Sequence, residues 1–200
     1  MKKFLLIFVC VALLSACDEN TDLKTTSGSY LPLQVGNSWR FESTNPAAKD
    51  GFYFKRVMDT VTLNEHTYYE IVSGWSTSTE DIQDVAYYRV DDDGFVYILR
   101  LANNYEENRF RLNATDGDTW SYLIDDNDTA VISLTVSPLT IGSKELKDCK
   151  KYFYNVENWA DEEYTITLAK GIGFVKEHSD AWGQGSILKS ATINGQEINF

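Results

Sequence analysis

A chain of 200 residues, 43% hydrophobic and 14% aromatic, is long enough to bury one sizeable core. Its 30 acidic residues against 18 basic ones leave a net charge of −12. That charge argues against nucleic acid and against docking on anionic lipid faces, since both repel it.

Residues 1–16 have the three zones of a secretory signal. Lys2 and Lys3 supply the positive start, and residues 4–14 form an almost unbroken apolar run, shorter than the roughly 20 residues a membrane helix needs. Leu14-Ser15-Ala16-Cys17 resembles the bacterial lipobox, in which small residues precede a cysteine that is lipidated and becomes the new N-terminus. Acylated Cys17 would then hold the chain to a lipid bilayer, since several acyl chains together give stable anchoring. Residues 17–30 read as that cysteine and a flexible tether, polar and ending near Ser27-Gly28-Ser29. Residues 31–200 read as a single β-rich domain. Asp18-Glu19 resembles the acidic stretch that accompanies export of lipoproteins to the cell surface in Bacteroidetes, and also an inner-membrane retention signal of proteobacteria.

Along the domain, period-2 alternation dominates. Phe95, Tyr97, Leu99 and Leu101 share one face of a strand, as do Ile132, Leu134 and Val136, and Tyr164, Ile166 and Leu168. Asp91-Asp92-Asp93-Gly94, residues 125–128 and Asn194-Gly195 punctuate these runs as turns. Pro46 and Pro138 suit loops or strand edges. Only residues 105–111 carry a weak helical pattern. The expected fold is all-β, an antiparallel sandwich or curved half-barrel. Cys149 is the one cysteine left after the signal peptide and the lipid site, so no intramolecular disulfide is expected and the thiol reads as structural.

Three landmarks recur in order. Gly36-Asn37-Ser38-Trp39 matches Gly117-Asp118-Thr119-Trp120, Tyr68-Tyr69 matches Tyr152-Phe153-Tyr154, and Gly94-Phe95-Val96 matches Gly173-Phe174-Val175. Two similar β halves would explain this, and chance recurrence of frequent aromatics and glycines is the competing account.

Residues 30–39 (Tyr-Leu-Pro-Leu-Gln-Val-Gly-Asn-Ser-Trp), Gly117-Asp118-Thr119-Trp120 and residues 171–176 (Gly-Ile-Gly-Phe-Val-Lys) resemble the segments Y-x-P-L-x-x-G-N-x-W, G-D-x-W and G-I-G-x-V-K of a group of secreted β-rich lipoproteins common in Bacteroidetes. The resemblance implies fold and address, and no catalytic residue. It departs at Asn64-Glu65, where Asn-Gly suits a hairpin tip. The motifs also make sense as scaffold. Gly-Asn and Gly-Asp serve turns with positive φ, a following tryptophan plugs the end of a sheet, and glycines around Ile172 mark a bulge or a close backbone approach.

Chemistry-bearing patterns are sparse. His66 and His178 have no second histidine at metal-ligand spacing, Gly183-Gln184-Gly185-Ser186 lacks the central serine of a nucleophile elbow, and no phosphate loop occurs. No metal, cofactor or catalytic residue is expected. The aspartates at 91–93 and 125–128 offer oxygens that suit calcium, but such residues also cap turns. Adjacent rings at Phe52-Tyr53-Phe54, Tyr68-Tyr69, Tyr87-Tyr88 and Tyr152-Phe153-Tyr154 place aromatics on both faces of their strands. Tyr53, Tyr69, Tyr88, Tyr152 and Tyr154 are the candidate ligand-facing side chains, with a two-layer core as the competing reading. The expected role is a non-enzymatic binding or interaction module on an outer-membrane lipoprotein, surface-exposed or periplasm-facing, with an extracellular or periplasmic partner. Its rivals are a glycan or peptide hydrolase with facing carboxylates, and a carrier of apolar ligands in a half-barrel.

Overall fold

A computed structural model describes residues 28–46, 50–77, 81–101, 105–124, 128–157 and 159–200. The first six strands are β1 (Ser38–Ser43), β2 (Phe52–Leu63), β3 (His66–Ser76), β4 (Asp84–Val90), β5 (Phe95–Arg100) and β6 (Tyr105–Arg111). The next six are β7 (Thr119–Leu123), β8 (Thr129–Ile141), β9 (Lys144–Val156), β10 (Tyr164–Ala169), β11 (Gly173–Ser179) and β12 (Gln184–Ile193). A short β13 (Gln196–Asn199) folds back on β12.

All form one antiparallel sheet in the order β6-β5-β4-β3-β2-β1-β12-β11-β10-β9-β8-β7. Each half is a six-strand meander, and the halves join where β1 pairs with β12. The two free edges, β6 and β7, are consecutive in the chain, so residues 112–118 bring them together and the sheet nearly closes into a barrel. The sheet thus curls further than the half-barrel expected from sequence. The repeated landmarks fall on equivalent strands: Trp39 and Trp120 on β1 and β7, the tyrosine clusters on β3 and β9, and the Gly-Phe pairs at β5 and β11.

A strict meander sorts its connections by end. The links β2–β3, β4–β5, β6–β7, β8–β9, β10–β11 and β12–β13 share one end with the N-terminal segment, where the Gly171 amide donates to the Ser29 carbonyl at 2.8 Å. The links β1–β2, β3–β4, β5–β6, β7–β8, β9–β10 and β11–β12 share the opposite end, called here the mouth.

Turn chemistry follows backbone need. Asn194 and Gly195 have φ of 52° and 77°, the double left-handed geometry of a tight hairpin. Asn64 and Glu65 adopt it too, at 49° and 67°, with glutamate where glycine would be unstrained. Asp91 accepts the amides of Asp93 and Phe95 at 3.1 and 2.8 Å and so builds its own turn.

Rings fill the barrel toward the N-terminal end. Trp39, 1% exposed, donates Nε1–H to the Ile172 carbonyl at 2.6 Å and lies edge-on to Phe174 at 5.3 Å. Phe41, Phe110, Leu134, Leu168 and Leu188 complete this packing with almost no exposure. Lys150 reaches from β9 to donate to the Leu112 and Ala114 carbonyls, tying down the link that carries the chain between halves.

One expectation needs correction, and two gain detail. Residues 105–111 are strand β6, because pairing along β5 outweighs the helical preference of their Glu and Arg residues. Phe95, Tyr97 and Leu99 share a face as expected, the outer one, while Leu101 lies just beyond β5; Val96 and Ile98 turn inward and are fully buried. Of the two readings of the glycines around Ile172, the bulge holds: Thr167 pairs with Lys176 and Leu168 with Phe174, leaving Val175 extra, and the close neighbour at Gly173 is the Trp39 indole, whose Cζ2 lies 2.9 Å from where a Cβ would stand.

Candidate binding pocket

The alternation of β2 sends Tyr53, Lys55 and Val57 inward, opposite Trp75, Ser73 and Ile71 of β3. Ala86 and Tyr88 of β4 continue that face, since Tyr69 pairs with Tyr88. On the second half, Tyr164 and Ile166 of β10 and Glu177 of β11 point to the same space. Because the large core rings stop short of the mouth, these residues enclose a cavity of about 420 Å³ there.

Charges line this cavity in pairs. Lys55 Nζ lies 3.1 Å from Glu177 Oε1 and donates to the Tyr53 hydroxyl at 3.0 Å. Burial works against the Lys55 charge, but Glu177 and Tyr53 outweigh it and hold the ammonium above its ordinary range. Arg109 comes from a bulge in β6, where Val96 pairs with Phe110 and Tyr97 with Asn108. It bonds Glu107 and sits 5.5 Å from the Tyr164 ring centroid. Burial likewise opposes its charge, and Tyr164 and Glu107 reverse that effect. Arg100 and Asp84 pair at 2.8 Å and are more exposed.

Phenols complete the wall. Tyr164 stacks on Tyr154 with centroids 4.4 Å apart. Burial pushes Tyr164, Tyr122 and Tyr88 above the ordinary phenol range, so each remains a neutral hydroxyl at physiological pH. Tyr88 also feels Lys55, Arg109 and Glu177 together, which puts it near the centre of the charged set. Four polar atoms of the lining, Arg109 Nε, the Tyr164 hydroxyl, Glu177 Oε1 (apart from its ion pair with Lys55) and His178 Nδ1, are enclosed and make no hydrogen bond among the described residues.

All five tyrosines singled out from sequence face inward, but they do not form one patch. Tyr53 and Tyr88 line the cavity, and Tyr154 backs it through its stack on Tyr164. Tyr152 belongs to the core and donates to the Arg111 carbonyl at 3.3 Å. Tyr69 lines a separate groove at the N-terminal end, with Leu31 and Pro32. The outer rings Phe52 and Phe54 cluster with Val72, and the Arg40 guanidinium stacks 3.7 Å over Phe52. Lys55, Arg109, Glu107, Glu177, Tyr164 and Trp75 were not anticipated. The readable signal was Lys55, a charge at the inward parity between Tyr53 and Val57. Arg109 was hidden because its bulge shifts the parity.

No group of three metal-ligating side chains occurs among the described residues. Asp91 is spent on its turn, and residues 125–127, like Cys17, lie outside the described residues. Cys149 is buried, and burial pushes its thiol up to about 11, as suits an inert structural residue. At the mouth end, Ile82, Leu101, Trp159 and Trp182 are exposed, each on a different connection, as is Leu123 at the end of β7, with Trp182 66% open to solvent.

No protein-family profile matches the chain, and no curated protein matches it. Two solved structures are similar to the chain at low identity. One is a candidate lipoprotein of Parabacteroides distasonis ATCC 8503, 12% identical with a TM-score of 0.48, covering 83% of this chain and 99% of that one. The other is a candidate exported protein with a YmcC-like fold from Bacteroides fragilis NCTC 9343, 14% identical with a TM-score of 0.45, covering 86% of this chain and 100% of that one.

Proposed function

We propose that the chain is an exported lipoprotein of the outer membrane, held by acylated Cys17, whose barrel is a non-enzymatic binding module. The cavity of about 420 Å³ at the mouth carries this reading. The N-terminal segment meets the barrel at the opposite end, beside Gly171, so an anchored barrel would present its mouth away from its own membrane. Exposed apolar side chains gather around that mouth, as they do where a surface meets a partner. Asp18-Glu19 supports the cell surface as the address.

Both rival roles fit the interior less well. A carrier of apolar ligands needs an empty apolar lumen, but Trp39, Phe41, Phe110 and Phe174 fill that part of the barrel. A glycosidase needs one acid kept uncharged in an apolar niche, whereas Glu177, Glu107 and Asp84 each face a cation.

The test is native mass spectrometry of the full chain released from its own membranes, beside Ser186→Trp, whose indole would occupy the cavity. A small non-covalent companion on the wild type alone is expected. Equal companions on both proteins, or none on either, would overturn the binding reading. Protease treatment of intact and lysed cells tests the address: loss only after lysis would move the barrel to the periplasmic face.

A further inference from the structure

We propose that the mouth cavity takes a neutral saccharide of one or two pyranose rings, an inference that rests on the binding role argued above. The electrostatics point away from an anion. Lys55 faces Glu177, Arg109 faces Glu107 and Arg100 faces Asp84, so no lysine or arginine of the lining is left over among the described residues. The whole chain carries −12 and repels acidic ligands at long range.

Hydrogen bonding points to hydroxyls. The enclosed Arg109 Nε–H and Tyr164 hydroxyl have no partner among the described residues, and a buried donor left unpaired is costly. A sugar hydroxyl or ring oxygen would satisfy either, and Ser73, Ser179 and Ser186 add further neutral partners. Rigid ion pairs such as Lys55–Glu177 offer a donor beside an acceptor, which matches two adjacent hydroxyls of a pyranose.

Shape favours the same class. Tyr53, Trp75, Tyr88 and Tyr164 line the wall, so the C–H groups of a sugar ring can pack against aromatic carbon while its hydroxyls meet the polar groups between them. A peptide is a poorer match. Strands β2, β3, β4, β10, β11 and β12, which carry most of this wall, are each paired on both sides and offer no edge to a peptide backbone; of the wall's strands only β6, the source of Arg109, ends the sheet. An acyl chain is poorer still, because it would strip water from three ion pairs without replacing one hydrogen bond.

The experiment titrates the full chain with glucose, galactose, mannose, N-acetylglucosamine, maltose and lactose. Glucuronate, trialanine and tetradecanoate serve as acidic, peptide and acyl probes. Isothermal calorimetry gives affinity, and tryptophan fluorescence compared with Trp75→Phe reports whether the cavity is the site. At least one neutral sugar is expected to bind saturably, with the fluorescence change lost in Trp75→Phe. Tyr164→Phe removes one unpartnered hydroxyl, and Arg109→Lys keeps the charge but removes Nε–H. Each is expected to weaken that sugar at least tenfold while leaving the circular dichroism and melting temperature near wild type. Sugar binding that ignores both variants would overturn the assignment. Saturable binding of glucuronate, trialanine or tetradecanoate with all neutral sugars silent would overturn the saccharide and leave the binding role standing. Silence from every probe would overturn the saccharide, and the binding role would then stand or fall on the native mass spectra described above.

Discussion

Gly173→Ala should be among the most damaging single-methyl changes in this protein, and the structure supplies its own control. Gly173 has φ of +93°, and an added Cβ would stand 2.9 Å from Trp39 Cζ2 and 3.0 Å from Nε1. Gly36 has nearly the same φ, +92°, with nothing within 4 Å of the added atom. Alanine at either site bears the left-handed backbone penalty, about 1–2 kcal/mol. At Gly173 the indole must also shift, and Trp39 is 1% exposed with no space to move into. Overpacking of that kind costs roughly 1–3 kcal/mol, and a strained Trp39–Ile172 hydrogen bond adds about 1 kcal/mol. The expected loss is therefore about 1–2 kcal/mol for Gly36→Ala and about 3–6 kcal/mol for Gly173→Ala by these sums. Urea unfolding followed by far-ultraviolet circular dichroism measures both, with the slope checked for constancy. Equal midpoints for the two variants would refute the claim that the glycine exists to receive the indole.

Further outcomes follow from turns, clamps and titration. Glu65→Gly should stabilise the protein by about 0.5–1 kcal/mol in the same urea assay, because it relieves the positive φ of 67° at a hairpin tip. Lys150→Met should cost about 2–3 kcal/mol, since it strands the Leu112 and Ala114 carbonyls at the link between halves. Burial raises Tyr152, Tyr164 and Tyr122 above 10.0 and Cys149 from 9.0 to about 11. A raised value in the folded state means stability that is full below the unfolded value and lost as pH climbs through the folded one. Stability should thus hold to about pH 9 and fall increasingly above it. Part of the tyrosinate absorbance at 295 nm should appear only as circular dichroism is lost; complete titration of a still-folded chain would contradict this.

How much of this was legible depends on the range of the interaction that decides it. Alternation is local, so Ile132, Leu134 and Tyr164, Ile166, Leu168 announced their strands, and Asn194-Gly195 announced its hairpin. The recurrence of Trp39 and Trp120 was visible because each half repeats the same turn before its first strand. Closure was not visible, since it depends on register and bulges that no single segment encodes. The bulge that shifts register between Val96 and Tyr97 also decides that Arg109 enters the cavity. The pairing partners of Lys55 were hidden for a related reason: Glu177 is 122 positions away, and β2 and β11 face each other only after β1 and β12 have joined the halves. For residues 105–111, propensity pointed to a helix and lost to the hydrogen bonds offered by β5.

The cavity sits where the two halves stop resembling each other. Lys55, Arg100, Glu107 and Arg109 come from the first half, whereas the inward positions of β8, the counterpart of β2, are Ala130, Ile132 and Leu134, all buried. The same strand position can therefore be apolar without harm to the meander, so the Lys55–Glu177 pair is not there to hold the fold. Replacing Lys55 alone by methionine would leave Glu177 facing the interior unpaired, at a cost of roughly 3–5 kcal/mol for a dry site. The Glu177 side chain is 24% exposed, which places the loss at or below the lower end of that range. Adding Glu177→Leu should return stability to wild type or above it, because well-packed apolar replacements of such pairs are neutral or stabilising by about 1–4 kcal/mol. Thermal melts of the wild type, both single variants and the double variant complete the cycle. A double variant no more stable than Lys55→Met alone would show that the pair is structural and remove the main reason for assigning these charges to a ligand.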